Sequence, residues 1–318
     1  MDALVASLQG DFTSLSKFIR SLGPPAPCGD GDVVIRGHYL PFRGGKPRLG
    51  ELLDHIRSYI CNFALSRAEI QAVHSSVNSM SEQERLLAYV KLRDEAADLF
   101  IRAQRSTHRN GECGELLLYL FTEWILEAPQ ILAKMALKTN ASMPVHGSDG
   151  IHIKYDPTCD SLIFFWGEAK LHSTVGGALR SAVESIASTL KYDKLKEDIN
   201  LVRRFITLTG LSPEAQARVV EYLDPLSSNY DKKIDASTCL IGFDFRGFQR
   251  LAKVAAADLE AAFCELLRAE LATASKTLEG LLKSQKITHH RMEVFFLPVE
   301  SVDGLRIEWQ NKIGWKHD

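Results

Sequence analysis

The chain of 318 residues is 45% hydrophobic and 25% charged, with 21 glycines and 11 prolines, which is typical of folded globular proteins and excludes disordered or collagen-like chains. Its length suits about two domains of ordinary size. Lys and Arg total 38 against 40 Asp and Glu, a formal net charge of -2, so nucleic acid would have to be bound through a local basic surface.

The same composition argues against membranes and secretion. No apolar run reaches the roughly 18 residues that a spanning helix needs, and the start, MDALVASLQGDF, has no basic segment or signal cleavage site. The six cysteines are scattered without CxxC or paired Cys/His spacing, which favours reduced thiols over disulfides or a zinc site. We therefore expect a cytoplasmic protein that does not associate with membranes.

The N-terminal third of the chain is turn-rich at first and then helical. Up to about Gly50 the sequence predicts a short helix, one strand over VVIRGHYL and no large core. Helical spacing begins in ELLDHIRSYICNFAL and continues in MSEQERLLAYVKLRDEAADLFIRAQR, which opens with a capping box between Ser81 and Glu84. GELLLYLFTEWIL is apolar nearly all round and predicts a buried helix.

Three strand-length segments follow this helix, ILAKMALKT, DGIHIKYD and SLIFFWGEAKLH. If the first is a strand, Lys134 and Lys138 share one of its faces, where they would contact DNA phosphates or lie on a solvated edge. The rest of the chain alternates helical patterns with two further strands. Those helices are VGGALRSAVESIASTL, KLKEDINLVRRFIT, SPEAQARVVEYL, the long segment from Arg250 to Gln285 and VDGLRIEWQNKI, and those strands are TCLIGFDF and RMEVFFLPV.

The order of these elements predicts an α/β protein with a mixed sheet flanked by helices. Within it, the second and third strand segments predict a hairpin with a loop over Pro157 to Asp160. That register pairs Ile151 with Trp166, Ile153 with Phe164 and Tyr155 with Leu162, an apolar ladder on one face of the hairpin.

The same register sets Asp149 opposite Glu168, which lies 19 residues later in the chain. Lys170 is two residues beyond Glu168 on the same strand face. Two facing carboxylates repel each other unless a hard cation lies between them, and Mg²⁺ needs few protein ligands because water and phosphate oxygens complete its shell. A lysine beside such an ion stabilises charge on a reacting phosphorus. The pattern predicts metal-dependent phosphodiester hydrolysis.

Asp149 with Glu168-Ala169-Lys170, set between helices, resembles the PD-(D/E)xK nuclease core of restriction endonucleases, although Ser148 stands where proline is usual. GELLLYLF, KMALKTN, VHGSDGIHI, FWGEAKLH and SAVESIA resemble, more narrowly, the HamA nuclease family of Hachiman anti-phage systems and the related anti-bacteriophage protein A. The resemblance extends from roughly Gly50 to the C-terminus.

This resemblance implies a Mg²⁺-dependent deoxyribonuclease, with Mn²⁺ as a possible substitute, that acts on DNA and is held inactive by a superfamily 2 helicase partner (HamB-like). It implies that Asp149 and Glu168 are metal ligands, that Lys170 is the catalytic lysine and that Glu115 is a further carboxylate of the metal site. It also implies a HamA-like domain over 51–318, with the nuclease core at roughly 100–300, which follows the turn-rich segment over 1–50 indicated by its Pro and Gly residues.

Other interpretations of the same residues stay open. Glu168 and Lys170 can form an ordinary ion pair on an exposed strand, and Glu115 can be an acid favoured by the dipole of its helix. The protein can then be a structural or regulatory subunit that docks on a helicase, with a silent nuclease site. A glycosidase with a carboxylate pair would need an open sugar cleft lined by aromatic residues, for which the apolar ladder is too narrow.

Overall fold

The computed structural model describes residues 1–107, 111–138 and 148–315. Its helices are α1 Asp2–Ala6, α2 Leu49–Ile56, α3 Ile60–Ala64, α4 Arg67–Ser76, α5 Glu82–Thr107, α6 Glu112–Ile125, α7 Lys134–Lys138, α8 Val175–Thr189, α9 Tyr192–Phe205, α10 Pro213–Glu221, α11 Gly247–Arg250, α12 Leu259–Gln285 and α13 Val302–Ile313. Its strands are β1 Arg20–Ser21, β2 Ala26–Pro27, β3 Val33–Tyr39, β4 Phe42–Arg43, β5 Lys46–Pro47, β6 Gln130–Leu132, β7 Gly150–Asp156, β8 Ser161–His172, β9 Lys233–Asp244 and β10 Met292–Val299.

The chain divides into two compact units, and the first comprises 1–10, 56–167 and 191–235. In this unit β7 pairs antiparallel with both β6 and β8. Apolar residues from one face of these strands, including Ile151, Ile153, Phe164 and Trp166, form a core with helices α1, α9 and α10. The long helix α5 and the nearly all-buried α6 belong to the same unit.

The second unit comprises 11–55, 168–190 and 236–318. Its strand order is β1-β3-β10-β9-β8, in which β10 runs parallel to β3 and β9 while β1 and β2 run antiparallel to β3. Helices α8 and α12 pack on these strands through an apolar core that includes Leu179, Ile241 and Phe263. The predicted α/β class with a mixed sheet and flanking helices is therefore confirmed.

Several local predictions hold and others need correction. The capping box that opens α5 is present, since the Ser81 N–H donates to Glu84 Oε2 at 2.8 Å. The predicted strand over ILAKMALKT is wrong beyond Leu132, because residues 134–138 form α7. Those five residues are good helix formers and include no β-branched side chain. Sequence analysis also missed α4 and started the long helix α12 too early, at Arg250 instead of Leu259.

The first fifty residues contribute more to a core than their turn-rich sequence indicates. Strand β3 pairs with β10, and Val33, Ile35 and Tyr39 are buried in the core of the second unit. Residues 1–10 and 11–55 fall in different units. In the part of the chain that the structure describes, no helix is both long enough and apolar enough to cross a membrane.

Leucines 162 and 226 provide a matched test of the first unit's core. Leu162 of β8 is fully buried in it, whereas Leu226 is 95% exposed. We expect Leu162→Ala to lower the free energy of unfolding by about 2–5 kcal/mol, because it removes buried methyl groups and leaves a cavity. Leu226→Ala should change it by less than about 0.5 kcal/mol. Urea unfolding of both variants measures this, and equal effects would contradict the assigned core.

Candidate active site

The hairpin formed by β7 and β8 has the register predicted from the sequence. Ile151 pairs with Trp166, Ile153 with Phe164 and Tyr155 with Leu162. Its loop covers Pro157 to Asp160 and is held by side chains, since the Thr158 N–H donates to Asp156 Oδ1 at 3.0 Å and the Tyr155 hydroxyl donates to Asp160 Oδ1 at 2.6 Å. The hairpin therefore ends, on the side away from its loop, at the paired residues Gly150 and Gly167.

The pairing of β7 with β8 ends at two glycines. Gly150 lies opposite Gly167, and the Asp149 N–H donates to the Gly167 carbonyl at 2.7 Å. A Cβ atom on Gly167 would lie 3.1 Å from Leu118 of α6 and 3.2 Å from the Gly150 nitrogen, closer than side chains normally pack. Glycine at 167 thus permits the close approach of two strands and a helix.

Glu168 and Lys170 form an ion pair on one face of β8. The Glu168 side chain is 6% exposed and that of Lys170 is 23% exposed. The prediction that Glu168 and Lys170 share a face is confirmed. Because the Glu168 side chain is buried, this pair differs from an ordinary ion pair on an exposed strand. The expected approach of the Asp149 and Glu168 carboxylates to within about 6 Å stays a prediction.

His172 continues this face of β8 and was missed by the sequence analysis. It follows Lys170 by two residues, so strand alternation puts the two side chains on the same side. Burial lowers the pKa of His172, and the positive charges of Lys170 and Arg306 lower it further. The imidazole is therefore neutral near pH 7. The i, i+2, i+4 spacing of Glu168, Lys170 and His172 is the signal that could have indicated it.

Helix α6 carries three glutamates with different surroundings. Glu115 lies in the first turn, partly exposed, and its N–H donates to the Gly111 carbonyl at 3.0 Å. Glu112, in the same turn, is buried and was not considered from the sequence. Both positions also suit an acid at a helix N-terminus. The role of Glu115 in a metal site stays a prediction.

Glu123, at the other end of α6, is a buried structural acid. Its Oε1 accepts a hydrogen bond of 2.7 Å from the Gln130 N–H and lies 3.4 Å from the Arg67 guanidinium. Burial raises the pKa of Glu123 to about 7, although the charge of Arg67 and the bond from Gln130 oppose the rise. This acid joins α6 and α4 to the start of β6.

Lys134 is almost wholly buried, so both roles considered for it, contact with DNA phosphates and a solvated edge, are wrong. Its ammonium group donates 2.7 Å hydrogen bonds to Asp198 Oδ1 of α9 and to the Ser148 carbonyl. Asp198 Oδ2 in turn accepts from the Ser148 N–H at 3.1 Å and from its hydroxyl at 3.0 Å. The Lys138 side chain lies outside the described residues.

Comparison with protein families identifies the chain. A model of the HamA family matches residues 27–313, nearly the whole sequence. The chain belongs to the HamA family. The match begins 23 residues before Gly50, where the resemblance was expected to start, and so includes strand β3. A search of curated proteins gives no match.

Membership of the HamA family makes the chain an anti-phage defence protein. Among residues 1–107, 111–138 and 148–315 of this HamA protein, no group of three or more His, Cys, Asp or Glu side chains is arranged to hold a metal ion.

Glu123→Gln in this HamA protein should change the pH dependence of stability. Because the folded pKa of Glu123 is raised to about 7, the unfolded state ionises more readily, and stability falls as pH rises from about 4.5 to 7. Glutamine can still accept the Gln130 bond but does not ionise. We expect the variant to gain stability over the wild type at pH 8 relative to pH 5, by at most about 3 kcal/mol.

Thermal unfolding at both pH values measures this gain. Glu127→Gln removes an exposed carboxyl just beyond the same helix and serves as the control. A gain for Glu123→Gln that is identical at pH 5 and pH 8 would refute the raised pKa.

Proposed function

We propose that this protein is a Mg²⁺-dependent deoxyribonuclease with a PD-(D/E)xK core of the restriction-endonuclease type. It would hydrolyse phosphodiester bonds in DNA as the effector of its defence system, under the control of a helicase partner. The observation that carries the proposal is the β7–β8 register, which runs without a break to the Gly150–Gly167 pair. Continued by one residue, this ladder would make Asp149 and Glu168 partners, although Asp149 lies just before β7 and its N–H bonds to the Gly167 carbonyl.

Strand alternation gives this pair its direction. Successive residues of a strand point to opposite faces, so Glu168 shares a face with Trp166, and Asp149 would share one with Ile151 if the geometry of β7 extended to it. Ile151 and Trp166 are themselves a cross-strand pair. The two carboxylates would therefore extend the apolar ladder at its glycine end, and the buried ladder beneath them would limit their motion.

The donor set fits a hard divalent cation. Asp149 and Glu168 would hold Mg²⁺ or Mn²⁺ through carboxylate oxygens, and Glu115 would orient a water bound to the ion. The bound ion would supply charge neutralisation at the scissile phosphate and a water of lowered pKa. Glu168 is largely buried, as a ligand of a partly dehydrated ion should be, and it is also bonded to Lys170.

Lys170 and His172 would act on the substrate side. Lys170 is anchored by the Glu168 carboxylate but keeps about a quarter of its side chain exposed, so its ammonium can reach a phosphate oxygen. There it would stabilise the negative charge that builds up as the phosphodiester is attacked. His172, neutral near pH 7, can accept a proton on the same strand face.

We expect Glu168→Gln, Lys170→Met and Asp149→Asn each to lower DNA cleavage by about a hundred-fold or more, since each removes a metal ligand or the charge that stabilises the transition state. The assay incubates plasmid DNA with the protein, alone and with its helicase partner, in Mg²⁺ or EDTA. Cleavage by Glu168→Gln at the wild-type rate would refute the nuclease. Absence of cleavage by the wild type, both alone and with its partner, would favour a silent site on a docking subunit.

Lys233→Met is the matched control, because Lys233 and Asp235 form an ion pair at the same two-residue spacing on β9. Its loss can lower stability but should leave cleavage per folded molecule unchanged.

In the absence of metal, Asp149→Asn should fold with a melting temperature equal to or above that of the wild type, because it removes carboxylate repulsion. Added Mg²⁺ should raise the melting temperature of the wild type more than that of Asp149→Asn.

The helicase partner should supply most of the affinity for DNA. The formal net charge of -2 gives this chain little electrostatic attraction to a polyanion. We expect the co-expressed pair to elute as one complex in size-exclusion chromatography and to bind DNA at least ten-fold more tightly than this chain alone. Separate elution at micromolar concentration, with equal DNA affinity for the chain alone and the mixture, would contradict this.

A further inference from the structure

Lys134, Asp198 and Ser148 form a buried polar cluster in the first unit. The side chains of Lys134 and Asp198 are 2% and 1% exposed, and Ser148 is also buried. Lys134 comes from α7, Asp198 from α9, and Ser148 from the segment that leads into β7. The three residues are joined by hydrogen bonds of 2.7 to 3.2 Å.

A buried ion pair requires an explanation other than stability. Removing two charges from water costs several kcal/mol for each ion, and well-packed apolar residues in the same place are often equally stable or more so. The explanation here is the group on which the pair converges. Lys134 and Asp198 together bind the carbonyl, the N–H and the hydroxyl of Ser148, every polar group that this residue has.

The next residue in the chain is Asp149. Its N–H is held by the Gly167 carbonyl at 2.7 Å, so the peptide before Asp149 is fixed at both of its ends. The cluster fixes the carbonyl end and the β7–β8 hairpin fixes the nitrogen end. The backbone from which the Asp149 carboxylate projects is thereby set by charge-assisted hydrogen bonds, which are stronger than neutral ones.

We propose that Lys134 and Asp198 are positioning residues for Asp149. Acting through Ser148, they hold the Asp149 carboxylate in the orientation that binds the divalent cation. The inference rests on the proposed nuclease function. Neither residue contacts substrate, since both side chains are almost wholly buried. Groups that orient metal ligands commonly change metal affinity by 10- to 100-fold when they are lost.

The test replaces the pair by apolar residues of similar size, Lys134→Met with Asp198→Leu, so that no buried charge is left unpaired. We expect the double variant to fold, and calorimetric titration with Mn²⁺ should show an affinity about 10- to 100-fold below that of the wild type. The kcat for DNA cleavage at fixed Mg²⁺ should fall, while the KM for DNA stays unchanged. A purely structural pair would lower urea stability and leave Mn²⁺ affinity alone.

Arg67→Met with Glu123→Leu is the matched control. That pair also joins a buried carboxylate to a cation and to a backbone N–H in the first unit, but it holds Gln130 and not the residue before Asp149. We expect it to change stability without changing Mn²⁺ affinity.

If the Lys134/Asp198 double variant does not fold, Ser148→Ala tests the positioning role instead, because it removes only the hydroxyl of the cluster. It should weaken Mn²⁺ binding by a few-fold.

The outcomes separate the two proposals. Mn²⁺ binding and cleavage that depend on Glu168, but are unchanged in the folded double variant or in Ser148→Ala, would overturn the positioning role and leave the nuclease intact. If Glu168→Gln changes neither Mn²⁺ binding nor DNA cleavage, both the nuclease proposal and the positioning role are overturned.

Discussion

The register of the β7–β8 hairpin is the constraint on which the rest depends. Side chains alternate between the faces of a strand, so a slip of one residue would turn Ile151, Ile153, Phe164 and Trp166 out of the core of the first unit. The same slip would turn Glu168 to the opposite face of β8. The burial of four large apolar side chains thus fixes the register of the hairpin and the face of β8 on which Glu168 lies.

Two buried cation–carboxylate pairs hold backbone positions at and near the start of β6 and β7. Strand β6 is only three residues long, and its first residue is held by Arg67 at the carbonyl and by Glu123 at the N–H. The segment before β7 is held in the same manner by Lys134 and Asp198. In both places a cation binds a carbonyl and a carboxylate binds an N–H of one residue. Such a pair holds the backbone at or just before the point where a strand begins.

A feature could be predicted from the sequence when the residues that form it are close together in the chain. The hairpin was predictable because its signals are local, an alternating apolar pattern on both sides of a turn of Pro, Asp and Thr residues. The role of Lys134 was not, because its partner Asp198 is 64 residues away and nothing near Lys134 indicates burial. The contribution of β3 to a core was missed for the same reason, since its partner β10 is more than 250 residues later in the chain. HamA membership could be inferred from short motifs because those are local too.

Burial also distinguishes the Glu168–Lys170 pair from an ordinary pair on a strand. In the pair on β9 the lysine is the buried member, with Lys233 5% and Asp235 24% exposed, and Asp235 is further occupied by the Trp166 indole N–H at 3.1 Å. In the pair on β8 the order is reversed, and the carboxylate lies beneath a lysine that is 23% exposed. The β9 pair therefore presents an anion that is already engaged, whereas the β8 pair presents a cation held by a buried acid. The second arrangement fits the proposed contact with a phosphate better, because it offers positive charge outward.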